Sequence, residues 1–274
     1  MKHILATTDF SIASRNACEY AVSLAQDFGA KITLLHVFAP PMVIDDISAA
    51  SLIVSHDELV KRYQFSLENE IRVLSEKHTV EMDIKVLEGF ADDKIPKIAQ
   101  KIHADVIIMG MKGKRMSNSI FGSTATSVIR KTSLPVLLLP QNANYVSIKN
   151  ITLATDFDSK SEISYQALLH ELTEKNNSLI SILNVQRKED KMRLDEVVGK
   201  MKASLDFSTL KPVFYTISDT NVVNGIIRFI KENPTDVLVM IAHRHTFLER
   251  AFGVIHTKEM SCHTEIPLLV FHGN

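Results

Sequence analysis

Glycines, hydroxyls and cations gather in one stretch of this 274-residue chain in a pattern suited to holding a phosphate. Gly110-Met111-Lys112-Gly113 follows a continuous apolar run ending at Met109, and Gly122-Ser123-Thr124 comes shortly after. Two positions without Cβ let backbone N–H groups approach an anion closely. Gly122, Ser123 and Thr124 add donors and hydroxyls, and a helix beginning there turns its free N–H groups toward negative charge. Lys112, Lys114 and Arg115 put positive charge at the same rim. The competing use of such glycines is a sharp turn with close helix packing. Far upstream, Thr8 and Asp9 end another apolar run. Asp9 is either a ligand-facing carboxylate or the N-cap of the helix that follows Phe10-Ser11.

Other chemistries lack their signatures. Gly-x-x-x-x-Gly-Lys-Ser/Thr is absent, as are Gly-x-Ser-x-Gly and His-Glu-x-x-His. His243 and His245 have metal-plausible spacing, and His256, His263 and His272 follow, but no second patterned cluster supports them. Asp45-Asp46 reads as loop charge in preference to a magnesium pair. A net charge of −1 gives no electrostatic reason to expect nucleic acid or an anionic membrane. No apolar stretch approaches the roughly 20 residues that span a bilayer. Cys18 and Cys262 read as buried small residues of a reducing compartment, and Met1-Lys2-His3-Ile4 enters an apolar run without a leader, so a cytoplasmic protein is expected.

The elements that must position these residues occur twice. Ile4-Leu5-Ala6-Thr7-Thr8-Asp9-Phe10 returns as Ile151-Thr152-Leu153-Ala154-Thr155-Asp156-Phe157. Ala104–Met109 returns as Thr235–Met240, and Leu134–Leu139 as Ile266–Phe271. Three blocks in one order mean a duplicated domain. Short apolar runs alternating with helical periodicity predict α/β domains with parallel sheets. The first copy should hold strands at 3–8, 31–38, 82–87, 105–110 and 136–140. Its helices should cover Ala13 to Phe28 with Gly29 as the stop, 57–77, 92–102, and a segment from 117–119 to before Pro135. The second copy should hold strands at 150–155, 179–185, 212–217, 236–241 and 268–272. Domains of residues 1–143 and 147–274 follow, with a short linker over 141–147 that keeps them packed. The first copy carries extra chain around Ala39–Ser55, a lid or a neutral insertion at the edge where α/β sheets bind ligands.

A strand ending Thr-Asp-Phe-Ser, a Gly-x-x-Gly after the fourth strand and Gly-Ser opening a helix before a Pro-led fifth strand resemble the universal stress protein superfamily. The resemblance covers the whole chain as two tandem domains. It implies two doubly wound five-stranded parallel sheets of order 3-2-1-4-5 with helices on both faces. It also implies an adenine nucleotide, ATP or AMP with Mg2+ as a candidate companion, in the first domain. Asp9 and Thr8 would sit near ribose and base, Val37 would flank the base, Met109 and Gly110 would close the other side, and Lys112, Gly113, Gly122, Ser123 and Thr124 would hold phosphate. ATP-binding relatives usually enclose nine residues between their second and third glycines, whereas Lys114 to Phe121 are eight here; one residue turns a helical segment by about 100°. The second copy reads Ile241-Ala242-His243-Arg244 where the first has its glycines, and Gly253 is followed by Val254, so one nucleotide site per chain is expected. The expected function is stress response or signalling through a bound nucleotide. The alternatives are a nucleotide-independent interaction protein and, with no general base or carboxylate cluster in view, a slow ATP hydrolase. The two copies should pair through their fifth strands as an intrachain pseudo-dimer, with further homo-oligomers left open.

Overall fold

The structure, a computed structural model, describes residues 1–39, 55–111, 122–155, 164–186, 199, 210–242 and 266–272. The first copy runs β1 (His3–Thr7), α1 (Ile12–Phe28), β2 (Lys31–Phe38), α2 (His56–Ser75), β3 (Met82–Glu88), α3 (Ala91–Lys101), β4 (Val106–Gly110), α4 (Gly122–Lys131) and β5 (Val136–Leu139). The second runs β6 (Asn150–Ala154), α5 (Ser164–Asn176), β7 (Leu179–Gln186), β8 (Val213–Ser218), α6 (Val222–Glu232), β9 (Val237–Ala242) and β10 (Leu268–His272). Every expected strand is present with its ends displaced by at most about one residue. Most of the extra chain at 39–55, the start of the fourth helix and His243, His245, His256 and His263 lie outside the described residues.

All these strands join one sheet in the order β3-β2-β1-β4-β5-β10-β9-β6-β7-β8. Inside each half the pairings are parallel, so the 3-2-1-4-5 order occurs twice. The halves meet antiparallel, with Leu268 opposite Leu138, Leu269 opposite Leu137 and Val270 opposite Val136. This is an intrachain pseudo-dimer through the fifth strands. Pairing them removes two apolar sheet edges that would otherwise offer unpaired N–H and C=O groups to other chains.

Hydrogen bonds repeat along with the sequence. Asp105 Oδ2 accepts from Lys2 and His3 N–H at 2.5 and 2.9 Å, and Asp236 Oδ2 accepts from Lys149 and Asn150 N–H at 2.8 and 2.7 Å. Each carboxylate thus satisfies the start of its half's central strand, at the edge opposite the glycine motif. Two apolar layers cover the two sheet faces, and each continues across both halves. Ile4, Ala17, Leu34, Leu153, Leu169 and Phe271 belong to one, and Leu5, Ile107, Val128, Leu183, Phe229 and Val270 to the other.

α1 buries Ala13, Ala17, Ala21 and Ala25, and these small residues let the helix lie close on the sheet. Gly29 ends it in the left-handed conformation at φ 63°, with its N–H bonded to Ala25 and Gln26 carbonyls. The linker rests against the same helix. Asn16 Nδ2 donates to Pro140 and Ala143 carbonyls at 3.3 and 2.7 Å, and Tyr145 donates its hydroxyl to Asp27 at 2.5 Å while its ring meets Tyr20 edge-on.

Candidate functional site

β1, β2 and β4 are neighbours, and their carboxyl ends carry the residues singled out in the sequence. Ala6 pairs with Leu34 on one side and Ile108 on the other. Continuing that register sets Asp9 level with Val37 and Thr8 level with Gly110. Val37 is half-buried and Met109 buried on the face covered by α3 and α4. The crossover from β4 to the parallel strand β5 brings the amino end of α4 to this same edge. Gly122 begins that helix as described, and Ser123 and Thr124 are exposed in its first turn. Lys112 and Gly113 lie outside the described residues. β1 and β4 are also where the strand order reverses, the point at which open α/β sheets form a ligand crevice.

The β1–α1 turn is built from hydroxyls. Ser14 Oγ lies 3.1 Å from Thr8 Oγ1, accepts the Asp9 N–H at 3.2 Å and the Ser11 hydroxyl at 3.2 Å, and lies 3.1 Å from the Ser11 carbonyl. Phe10 N–H donates to Thr8 Oγ1 at 3.0 Å. The Thr8 side chain is therefore buried and engaged within the turn. The helix cap is Ser11, whose side chain accepts from Ser14 N–H. Asp9 is not the cap: its Oδ1 accepts the Ser11 N–H at 3.1 Å, stabilising the tight turn that precedes the helix. This turn holds Phe10 at φ 62°, a region that non-glycine residues rarely adopt. Asp9 itself is exposed at the rim.

Gly110 serves packing as well as any ligand. A Cβ there would lie 2.6 Å from Ala13 O and 2.9 Å from Ser14 N, so β4 and the first turn of α1 touch backbone to backbone. In the second half Ile241 takes this place, and its side chain is buried in the continuous apolar layer with Leu153 and Leu169. Asp156, Arg244 and Gly253 lie outside the described residues.

Beneath the turn, on the α1 and α2 side, sits a cluster of rings and carboxylates that the motif reading missed. His36 lies 4.6 Å from the Phe10 ring and 4.4 Å from the Tyr63 ring, and Phe38 lies 5.1 Å from Tyr63. Its Nδ1 meets the Thr8 carbonyl at 2.8 Å. Burial lowers the His36 pKa, against the opposing pull of that bond and of Asp9. Glu70 takes the Arg15 Nε–H at 2.9 Å, while its Oε2 is buried without a partner among the described residues. Burial raises the Glu70 pKa, against the lowering effect of Arg15. Cys18 is buried, and desolvation drives its thiol far above the ordinary range, so it is an inert core residue. The spacing Ser11-x-x-Ser14 was the available signal for the turn. The repeat position shared by His36 and Asn184 was the signal for the ring.

No helix among the described residues is long and apolar enough to cross a membrane. Residues 1–140 match the universal stress protein family. Universal stress protein MJ0531 of Methanocaldococcus jannaschii is 29% identical over 140 residues, 50% of this chain and 81% of the relative. Universal stress protein G of Shigella flexneri is 31% identical over 129 residues, 46% of this chain and 88% of the relative. Across both halves, the crystal structure of a universal stress protein from Archaeoglobus fulgidus DSM 4304 gives a TM-score of 0.71 at 16% identity and covers 98% of each chain, a likeness of fold. With the motif edge of the first copy, the doubled 3-2-1-4-5 sheet and these matches together, the chain belongs to the universal stress protein family, in a tandem two-domain form.

Proposed function

We propose that the first half binds one adenine nucleotide, ATP or AMP, and that the chain acts in stress response through occupancy of that site, without turnover. The observation that carries this reading is convergence at the switch point. Asp9, Val37, Met109, Gly110 and the exposed first turn of α4 share one sheet edge, beside the helix end that favours an anion. Lys112 and Gly113 belong to the same reading as phosphate partners, from the chain that joins β4 to α4. Among the described residues no three His, Cys, Asp or Glu side chains are grouped to take a metal. Magnesium would arrive with the nucleotide phosphates.

A second reading, an interaction protein independent of nucleotide, draws on a specific observation. Thr8, Asp9 and Gly110 all have structural work in the β1–α1 turn, which accounts for their presence without a ligand. Calorimetric titration of the purified chain with ATP and with AMP separates the two. Binding near one equivalent per chain supports the nucleotide reading, two equal sites refute the single-site assignment, and no heat with either nucleotide leaves the interaction protein. Phosphate release above background would establish hydrolysis instead.

A further inference from the structure

The second half makes the bond of His36 without an imidazole. His36 Nδ1 lies 2.8 Å from the Thr8 carbonyl, and at the equivalent place Asn184 Nδ2 donates to the Thr155 carbonyl at 3.1 Å. A carbonyl only accepts, so Nδ1 of His36 carries the proton and Nε2 is a bare lone pair. What the imidazole adds over the amide is therefore that second nitrogen and an aromatic face. Nε2 is buried with no hydrogen-bond partner among the described residues, and the residue is 7% exposed. The face packs on Phe10, the left-handed residue of the turn, and on Tyr63 of α2.

We propose that His36 is a positioning residue that holds the β1–α1 turn, and with it Asp9, in the ligand-ready arrangement only while its ring is neutral. The link to a ligand rests on the nucleotide reading of this edge; the hold on the turn does not. Protonating Nε2 gives it a hydrogen with no acceptor among the described residues and places charge where burial disfavours it. From the turn, Asp9 is the charged group that acts on the imidazole. From α2 it meets the uncharged Tyr63, while Glu70, two turns further on, is engaged by Arg15. From β3 its register neighbour is Val86. A cationic ring is driven toward Asp9 or solvent, and either move strips support from Phe10 and from the Asp9–Ser11 contact.

The sign follows from burial, which lowers the folded-state value below that of the free imidazole. The contribution of His36 is complete above about pH 6.5, the unfolded value, and is lost as pH falls from there toward the lowered folded value. His3 is buried and lowered in the same direction, so total stability does not isolate His36. The variant His36→Asn does, because the second half already uses asparagine in this position.

Thermal denaturation of the full chain without nucleotide, from pH 8 to pH 5, compares wild type with His36→Asn. The wild-type unfolding equilibrium should worsen by up to about tenfold more per pH unit than that of the variant within the window between the two values. Histidine proton NMR of the wild type gives an independent measure, with the resonance absent from His36→Asn titrating below pH 6.5 together with Phe10 and Tyr63 ring signals. Parallel stability profiles, or a His36 resonance that titrates at its ordinary value, overturn the proposal; if the variant fails to fold, the NMR titration decides alone, with the His36 resonance assigned by its proximity to the Phe10 and Tyr63 rings. AMP affinity over the same pH range should weaken toward low pH more steeply in wild type than in His36→Asn, which also corrects for titration of the nucleotide phosphate. If wild type binds no AMP or ATP at pH 8, the nucleotide reading fails while the ligand-free profiles still decide the hold on the turn.

Discussion

Replacing Gly110 with alanine adds one carbon, and that carbon falls on the backbone of the first turn of α1. The added Cβ would stand 2.6 Å from Ala13 O and 2.7 Å from Ala13 C, whereas unstrained heavy-atom contacts lie at about 3.5 Å or more. No flexible side-chain tip is there to swing away, so the turn must retreat by somewhat under about 1 Å. Ser14, whose hydroxyl links Thr8, Asp9 and Ser11, would move with it. Overpacking of this kind costs about 1–3 kcal/mol. An opposing gain of about 0.4–1 kcal/mol comes from the stiffer unfolded chain, since the backbone at Gly110 is not in a left-handed conformation. The clash wins, leaving a net loss of about 1–2 kcal/mol and, at about 2–4 °C per kcal/mol, a melting temperature lower by about 2–8 °C. Circular dichroism melting of the ligand-free chain at pH 8 measures it. A Gly110→Ala protein that melts at or above the wild-type temperature would refute the close β4–α1 contact and return Gly110 to a purely ligand-facing role.

Gly113→Val is expected to behave in the opposite way: nucleotide binding is lost while the ligand-free melting temperature stays near wild type, because a branched side chain crowds phosphate and resists any left-handed turn. A variant still stabilised by ATP to the wild-type extent would show that this loop is not the cradle. Residues 1–143 alone should self-associate, with dimers seen by light scattering, since removing β10 exposes the edge of β5. A monomer that stays soluble at high concentration would contradict that expectation.

The strands were legible because parallel strands covered on both faces read as unbroken apolar runs, as in Val106–Met109 and Leu238–Ile241. Their order came from the family resemblance, which implies a 3-2-1-4-5 sheet, and the repeat carried that order over to the second half. Contacts distant in sequence were not legible. Nothing local to Asp105 announces that it accepts the N–H groups of Lys2 and His3, and only its echo in Asp236 hinted at a shared duty. Asp9 was read as either cap or ligand group, and the structure gives it a third use, because Ser11 competes successfully for the cap position. For Gly110 the sequence left phosphate approach and close helix packing both open, and the structure shows the packing, with the backbone of α1 within contact distance.

The antiparallel seam between β5 and β10 reverses the direction of every strand beyond it. The carboxyl ends of β1, β2 and β4 therefore lie along one margin of the long sheet, and those of β6, β7 and β9 along the opposite margin. These two corresponding margins face away from each other, so a small ligand cannot touch both. A substitution at one margin leaves the other untouched, so Gly110 at one and the buried Ile241 at the other coexist about the same seam. The molecule that results has a head and a tail: a partner gripping the seam would meet near-symmetrical surroundings, whereas a partner approaching a margin would meet one of two chemically distinct faces.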